Sequence, residues 1–431
     1  MQDIDDLNNP SPQSLTNAAS ARTNVDRNRR QIDVVGTRFQ PRFKPWETNE
    51  LLVGFDWERS WIRSERYRAG GFAVAQVSPQ DNNQTDTVFA FYTEDSQRFF
   101  EDILTVRGGV RQTTGNVSLD RTPNAPTLLL GSTNYQATTY SAGATVKATD
   151  WMNLRVGAAS GFRAPTATEL GANFTTTPIG TTIFGNPNLA PETSRQLEAG
   201  VTFNWGGGRF DTALFQNTIS NRIRAVTTSS VGGVIVQQQQ NNPGDIVIQG
   251  FEVQSEANVL RTLGLAAQEN WQWTVFGNGY YHFKMTDYGA VANSRTDMAT
   301  RINMYELSIG SRVGQANTDI PWSFQLLGIL RGPMWYNTEE ALSPIYFPNQ
   351  IGSTSIFQKE AFWVVNSRAE VEIRKGFKLF ALVNNIFDIN QHPIFIALDT
   401  SPCGAKLSSQ NGSCGNSMPG REFLVGFQLR W

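Results

Sequence analysis

Apolar and polar residues alternate with a period of two along much of this chain. In the segment 195–205, Leu197 and Val201 fall on one side while Glu198 and Thr202 fall on the other. Successive side chains of a β-strand point to opposite faces, so this period predicts strands with one apolar and one polar face. Similar segments recur through the rest of the chain. The pattern predicts an all-β protein with about 14 to 16 antiparallel strands.

The charges of the most regular strand all fall on one side. In the segment 363–374, Arg368 and Glu372 share one side while Trp363 and Val371 share the other. An Arg or Lys that faces lipid at the middle of a bilayer costs about 2 to 4 kcal/mol, so only the uncharged side of such a strand suits lipid. No run approaches the ~18 apolar residues that a membrane helix requires. The pattern therefore favours a transmembrane antiparallel β-barrel over a helical membrane protein.

The chain divides near residue 48 in this interpretation. Residues 1–48 are polar, lack the apolar core of a secretory signal peptide, and are predicted to be partly disordered or to contain an early strand. Residues 49–431 are predicted to form the barrel, with short turns alternating with long extracellular loops. The segment 223–240 fits either a hairpin or a surface loop. The segment 332–360 is rich in Pro, Asn, Ser and Gly, which predicts a long loop.

Composition narrows the function classes. Charged residues make up 17% of the chain and aromatic residues 11%, and the net charge of −2 provides no basic surface for nucleic acid. The two histidines, His282 and His392, are far apart in sequence, so neither a metal site nor a cofactor is predicted. Cys403 and Cys414 lie in a segment rich in Gly, Ser and Asn. A loop-closing disulfide and two free thiols both remain open for this pair.

The segment from residue 161 to 198 carries the most specific motifs. It contains GFRAP at 161–165, Glu169-Leu170, GNPNL at 185–189 and Pro191-Glu192. Pro187 and Pro191 cannot donate to a sheet ladder, so the NPNLAP stretch is predicted to be a rigid turn that starts the next strand. These motifs, in this order, resemble the middle-barrel signature of TonB-dependent outer-membrane receptors.

Two features of the C-terminal segment resemble the same family. The strand 377–383 ends in NNIFD at 384–388, which is similar to the motif of the penultimate barrel strand. The last alternating segment, 421–431, ends on an aromatic residue, which resembles the signal by which outer-membrane barrels are inserted.

The resemblance implies a fold, a location and an activity. Receptors of this family have 22-stranded barrels closed by a globular plug, whereas this sequence shows about 14 to 16 strands and no evident plug. The chain thus resembles the C-terminal part of such a barrel. The implied location is the outer membrane of Gram-negative-type cells, with lipid and the barrel-insertion machinery as partners. The implied activity is uptake of a scarce nutrient, most often a ferric siderophore, driven by a TonB-type energising protein when the plug is present.

The same motifs indicate a candidate ligand region. The expected contacts lie at the loop bases and in the loop between the motifs, and they are Phe162, Arg163, Phe174, Phe184, Asn186, Pro187, Asn188 and Leu189. For Arg163 the alternative is a salt bridge to a carboxylate inside the barrel, such as Glu198. Haem-specific members carry a His in the loop that corresponds to 166–185, and this loop has none. Haem remains an alternative ligand because a Tyr or a distant His could serve.

Other functions are compatible with parts of the pattern. A receptor for haem, cobalamin or a saccharide, or a passive porin-like channel, would use the same barrel. A barrel enzyme would require a nucleophile placed beside a His, and neither histidine lies in a nucleophile motif, so no enzyme is predicted. A soluble secreted sandwich or propeller is the remaining alternative.

Overall fold

A computed structural model describes most of the chain. It covers residues 2–7, 24–70, 73–77, 82–124, 131–171, 173–176, 181–231, 234–265, 270–289, 299, 302–337, 356–359, 361–389 and 420–430. These residues are almost entirely β-strand, with two one-turn helices at Ala167–Gly171 and Val259–Thr262. No helix within these ranges has the length and apolar character needed to cross a bilayer.

The strands are numbered in chain order. They are β1 (Gln2–Leu7), β2 (Asn24–Phe39), β3 (Arg42–Phe43), β4 (Asn49–Gly70), β5 (Ala73–Val77), β6 (Gln84–Phe99), β7 (Leu104–Leu119), β8 (Gly131–Thr149), β9 (Met152–Arg163), β10 (Asn173–Thr176), β11 (Thr181–Phe184), β12 (Glu192–Trp205), β13 (Gly208–Ser220), β14 (Ile223–Val231), β15 (Val234–Asn241), β16 (Ile246–Asn258), β17 (Trp271–Asp287), β18 (Tyr305–Gln315), β19 (Trp322–Arg331), β20 (Met334–Asn337), β21 (Ile356–Lys359), β22 (Phe362–Arg374), β23 (Phe377–Asn384) and β24 (Glu422–Leu429).

The main sheet follows the order of the chain. It has 18 strands, of which β3 and β5 are short segments that pair with β4. The other sixteen run antiparallel, each beside the next one in sequence, from β1 to β24. This meander confirms the all-β prediction and lies at the upper end of the expected strand number. Short turns close one end of the hairpins, as where Trp205 pairs with Gly208 across two glycines.

The N-terminal part of the described chain joins this sheet. Strand β2 pairs with β4 at every position from Asn24 opposite Gly70 to Phe39 opposite Phe55. Residues 24–39 therefore share the sheet with the strands that follow residue 49, while residues 8–23 lie outside the described ranges.

The two faces of the sheet differ in polarity. On the apolar face, large hydrophobic side chains stand exposed at alternate positions, including Phe91 at 63%, Leu214 at 59% and Val425 at 84%. The polar face carries ion pairs instead: Arg155 bonds both Glu198 and Asp211, with N–O distances of 2.7 to 2.8 Å. The observed segregation follows directly from the period-two pattern.

Smaller sheets lie at the loop end of the strands. Strands β14 and β15 form an antiparallel hairpin, which resolves the open choice for residues 223–240. The segment β11 from the 164–191 connection pairs in parallel with β15, and β10 pairs with β11. The predicted long loop at 332–360 begins and ends with the short paired strands β20 and β21.

Two hydrophobic clusters lie where these connections meet the main sheet. The first contains Val117, Leu119, Tyr135, Ala167, Leu170, Leu189 and Ile223. The second contains Ile246, Ile248, Met285 and Ala299, with Phe215, Ile219, Ile302 and Met304 packed against it. Both clusters fix the bases of long connections, so these connections start from rigid positions.

Candidate functional site

An arginine beside the first cluster joins two strand ends, and its neighbours Phe162 and Ala164 pack against that cluster. Arg163 ends β9 and lies opposite Glu192, the first residue of β12. Its Nε donates to Glu192 Oε2 at 2.8 Å and its Nη2 donates to Glu192 Oε1 at 2.7 Å. The same guanidinium donates to both oxygens of Glu169 at 2.9 Å. Two bidentate pairs on one guanidinium fix its plane and the relative position of three backbone segments.

Glu169 also orders the helix on which it lies. The Thr166 hydroxyl accepts from the Glu169 N–H at 3.3 Å, and Glu169 Oε2 accepts from the Thr166 N–H at 2.7 Å. This reciprocal arrangement is a capping box, which satisfies helix N–H groups that would otherwise lack partners. We call Arg163, Thr166, Glu169 and Glu192 the loop-base cluster.

The NPNL turn packs against this cluster. The Asn186 N–H donates to the Glu169 carbonyl at 2.8 Å, and the Asn188 N–H donates to Asn186 Oδ1 at 2.9 Å. Leu189 is buried, as is Leu170, which is only 1% exposed. Backbone N–H groups, the Asn186 side-chain oxygen and the buried Leu189 therefore hold the turn, and Pro187 and Asn188 lie on the surface.

A single amide connects this turn to the β14–β15 hairpin. The Asn241 Oδ1 accepts from the Ala190 N–H, and its Nδ2 donates to the Ala190 carbonyl, both at 2.9 Å. The same Nδ2 donates to the Asn221 carbonyl at 2.8 Å. Glu192 Oε1 further accepts from the Ile223 N–H at 2.7 Å. The 164–191 connection and the β14–β15 hairpin are therefore held by the same two side chains, Asn241 and Glu192.

The electrostatics of the loop-base cluster favour the charged forms. Hydrogen bonds to Glu192 and Glu169 raise the pKa of Arg163. Burial raises the pKa of Glu192, but hydrogen bonds from Arg163 and from the Ile223 N–H outweigh it, so this pKa lies below its ordinary value of 4.5. Both groups lie at the loop end of their strands, beyond the exposed apolar side chains.

The depressed pKa of Glu192 predicts acid sensitivity at the loop base. Its stabilising contribution is complete above pH 4.5 and is lost as the pH falls through the lower folded-state pKa. We expect protection of the Ile223 amide in hydrogen exchange, corrected for intrinsic rates, to fall over that acidic range. In Arg163→Met, burial still raises the pKa of Glu192 but the counterion that lowers this pKa is gone. The loss of Ile223 amide protection should therefore begin at higher pH. Identical profiles for the two proteins would contradict this assignment.

The structure places the predicted ligand residues in different environments. Arg163 belongs to the loop-base cluster and Leu189 to the first hydrophobic cluster. Phe162 is partly buried against the hydrophobic cluster, 6.2 Å from Tyr135 between ring centroids. Phe184 is 38% exposed. Phe174 lies in β10 opposite Ile183, and its side chain is outside the described part. Pro187 and Asn188 are exposed, whereas Asn186 is half-buried.

The sequence interpretation named the wrong partner for Arg163. The alternative of a salt bridge is correct, but the carboxylates that pair with Arg163 are Glu169 and Glu192. Glu198 lies further along β12 and pairs with Arg155. The spacing Thr166-x-x-Glu169 is a capping-box signal that could have identified Glu169. Asn241 carries no local signal because its partners are distant in sequence.

Other proposals from the sequence concern parts of the chain outside the described ranges. Cys403, Cys414 and His392 all fall there. Within the ranges given above, no group of three or more His, Cys, Asp or Glu side chains is arranged to hold a metal ion.

Solved structures share this fold. The ferric citrate transporter FecA in its unliganded form aligns with a TM-score of 0.65 at 16% identity, over 94% of this chain and 56% of FecA. The FrpB iron transporter from Neisseria meningitidis aligns with a TM-score of 0.62 at 13% identity, over 94% of this chain and 59% of FrpB. The chain therefore spans just over half the length of these receptors.

Sequence comparisons agree with the fold. The probable hemoglobin and hemoglobin-haptoglobin-binding protein 4 of Haemophilus influenzae is 33% identical over 131 residues, which cover 28% of this chain and 13% of that protein. Residues 3–386 match the family described as TonB dependent receptor-like, beta-barrel. This match, over most of the chain, shows that the protein belongs to the TonB-dependent receptor β-barrel family.

Proposed function

We propose that this chain forms part of the barrel of an outer-membrane receptor. The receptor takes up an iron-containing substrate, either a ferric siderophore or haem. The observation that carries the proposal is the family match over residues 3–386. The proteins that this chain is similar to include a ferric citrate transporter, an iron transporter and haemoglobin-binding proteins. The proposed uptake depends on a TonB-type energising protein that acts on the complete receptor.

The segregated faces support an outer-membrane location. Exposed apolar side chains such as Phe91 and Leu214 suit contact with lipid. Exposed tryptophans, among them Trp151, Trp205, Trp271 and Trp273, lie at the short-turn ends of their strands. Tryptophan is enriched at membrane–water interfaces, so this row would mark one edge of the bilayer. Lipid and the barrel-insertion machinery are therefore proposed partners.

The loop base supports a binding role for the opposite end. The loop-base cluster and Asn241 hold the 164–191 connection and the β14–β15 hairpin in one orientation. Phe184, Pro187 and Asn188 are accessible beside this rigid base. An aromatic ring and polar groups on an ordered support suit high-affinity recognition, since little conformational entropy is lost on binding. These three residues are the proposed ligand contacts.

Ligand binding by the detergent-solubilised protein tests the proposal. Ferric citrate, a ferric catecholate and hemin serve as probes, with binding followed by quenching of tryptophan fluorescence. We expect tight binding of at least one probe and a loss of about tenfold in affinity for Phe184→Ala, the effect of removing one aromatic contact. Phe91→Ala, which removes an exposed ring from the apolar face, should bind unchanged.

Conductance in planar bilayers separates the receptor from a passive channel. The receptor proposal predicts tight, saturable binding of an iron compound. A steady open pore together with no binding of any of the three probes would favour the porin-like alternative and contradict the proposal.

A further inference from the structure

Two cations lie on the apolar face, near the end of the strands that carries the long connections. Arg195 is exposed and lies two residues before Leu197 on β12, so both side chains share that face. Lys284 of β17 lies opposite Gln249 of β16, which shares the apolar face with the exposed Phe251. A cation that faces hydrocarbon is unfavourable, so both positions are expected at the level of the lipid headgroups.

A bulge in β17 is responsible for the position of the lysine. Gly250 pairs with His282 and Gln249 pairs with Lys284, so Phe283 is an extra residue in this strand. In a regular strand, residues two apart share one face, and Lys284 would then lie beside His282 on the polar face. The extra residue moves Lys284 to the apolar face instead, where Phe283 is 54% exposed. Bulges re-aim side chains in this way and are frequent beside functional sites.

Hydrogen-bonding side chains connect the two cations across the sheet. Arg195 lies opposite Thr218 of β13, whose hydroxyl accepts from the Gln216 amide at 3.5 Å. The Gln249 amide donates to Gln216 Oε1 at 2.5 Å, and Gln249 lies opposite Lys284. The apolar face therefore ends, over these strands, in a row of hydroxyl and amide groups with a cation at each side.

No carboxylate of the described residues balances these two cations. Arg195 forms no ion pair within that part of the chain, and Lys284 Nζ lies over the Tyr288 ring, 5.6 Å from its centroid. The positions on the apolar side of β9, β12, β13, β16 and β17 contain neither Asp nor Glu. This region of the apolar face therefore carries two positive charges and is complementary to an anion.

A groove in the apolar face begins beside this polar row. It has a volume of about 500 Å³, and its apolar walls include Val156, Leu197, Ala199, Leu214 and Phe283. Ala199 lies opposite Leu214, and its small side chain leaves space between the larger ones. The amides of Gln216 and Gln249 line the groove as well, on the side of the cations. An apolar groove with a polar, cationic end matches an acyl chain that carries an anionic headgroup.

We propose that the apolar face between β9 and β17 binds an anionic, phosphate-bearing lipid of the outer leaflet, with an acyl chain in the groove and the headgroup at Arg195 and Lys284. Strands β12 and β17 are three spacings of about 4.8 Å apart, so two long side chains can reach one headgroup between them. Two unbalanced cations favour an anionic over a zwitterionic headgroup. The apolar groove favours a lipid over free phosphate. The inference rests on the proposed outer-membrane location and is independent of the iron-containing substrate.

Native mass spectrometry of the detergent-solubilised protein tests this assignment, with phosphatidylglycerol as the anionic probe and phosphatidylcholine as the zwitterionic probe. The wild-type protein should retain one phosphatidylglycerol with an affinity about tenfold or more above that for phosphatidylcholine, the effect of two basic residues beside an anionic headgroup. The double variant Arg195→Gln with Lys284→Gln should lose this preference. Arg107→Gln is the matched control, because it removes an exposed cation from the polar face, and it should keep the preference.

A second variant tests the groove separately from the charges. Ala199→Phe fills the space between the groove walls with an apolar ring that the lipid side of a strand tolerates. It should weaken the binding of both lipids and leave the ratio of their affinities unchanged. Unchanged binding of both lipids by Ala199→Phe would overturn the placement of the acyl chain.

Other outcomes would overturn the lipid site as a whole. These are equal retention of the two lipids by the wild-type protein, an unchanged preference in the double variant, and binding of inorganic phosphate alone as tightly as phosphatidylglycerol. A dimer that persists in excess phosphatidylglycerol would place a second copy of the chain on this face and would also overturn it. None of these measurements involves an iron compound, so their failure leaves the receptor function standing.

Discussion

Replacing Leu170 by alanine should lower the free energy of unfolding by about 2 to 5 kcal/mol, the range for deleting a fully buried leucine side chain. Leu170 is 1% exposed and packs among Val117, Tyr135, Leu189 and Ile223. Val117, Tyr135 and Ile223 lie in paired strands, so the surroundings can close only part of the cavity. The measurement is denaturant unfolding in lipid vesicles, followed by tryptophan fluorescence.

A second leucine provides the control. Leu263 follows the one-turn helix Val259–Thr262 and is 63% exposed. Leu263→Ala removes the same atoms from a position that is already in contact with solvent, so the change should stay within about 0.5 kcal/mol. Equal destabilisation by the two substitutions would show that the first hydrophobic cluster does not hold the loop base.

Introducing arginine at position 142 should destabilise the protein in a bilayer by about 2 to 4 kcal/mol, the cost of a cation on the lipid side near the midplane. Ala142 is exposed on β8, on the same side as Tyr140 and the exposed Val146. It lies seven positions from the short turn after Thr149, near the middle of the expected apolar band. The measurement is urea unfolding of the protein in vesicles.

The neighbouring residue is a matched control at the same depth. Ser141 is also exposed and has a small side chain, but it points to the polar face, where it lies opposite Ala159 and Gly109. These small partners leave space for a longer side chain. Ser141→Arg should therefore cost under about 1 kcal/mol. A larger effect at position 141 than at 142 would reverse the assignment of the two faces.

The strands were predictable because their information is local. A period of two places Leu197 and Glu198 on opposite faces without reference to any other segment. The sequential order of the sheet then follows, since neighbouring strands joined by short turns pair as hairpins. The bulge in β17, where Gly250 pairs with His282 and Gln249 pairs with Lys284, was not predictable, because one extra residue leaves the composition of the strand unchanged.

The candidate site was only partly predictable. The motifs correctly located the loop base, and the possible salt bridge of Arg163 was correct in kind, but its partners were not. Glu198 and Glu192 both follow the NPNL turn, and only the register of β9 with β12 decides that Arg163 lies opposite Glu192. The parallel pairing of β11 with β15 joins segments that no turn connects, so no pattern in either segment indicates it.

That parallel pairing constrains the order in which the protein can assemble. Thr181 lies opposite Ile235, 54 residues further along the chain, and closing a longer loop costs more conformational entropy than closing a shorter one. The contacts of Arg163 with Glu169 and Glu192 span shorter separations of 6 and 29 residues. They can form first and hold the intervening segment near its final place. Substitutions at Arg163 should consequently slow maturation of the surface loops more than that of the strands beneath them.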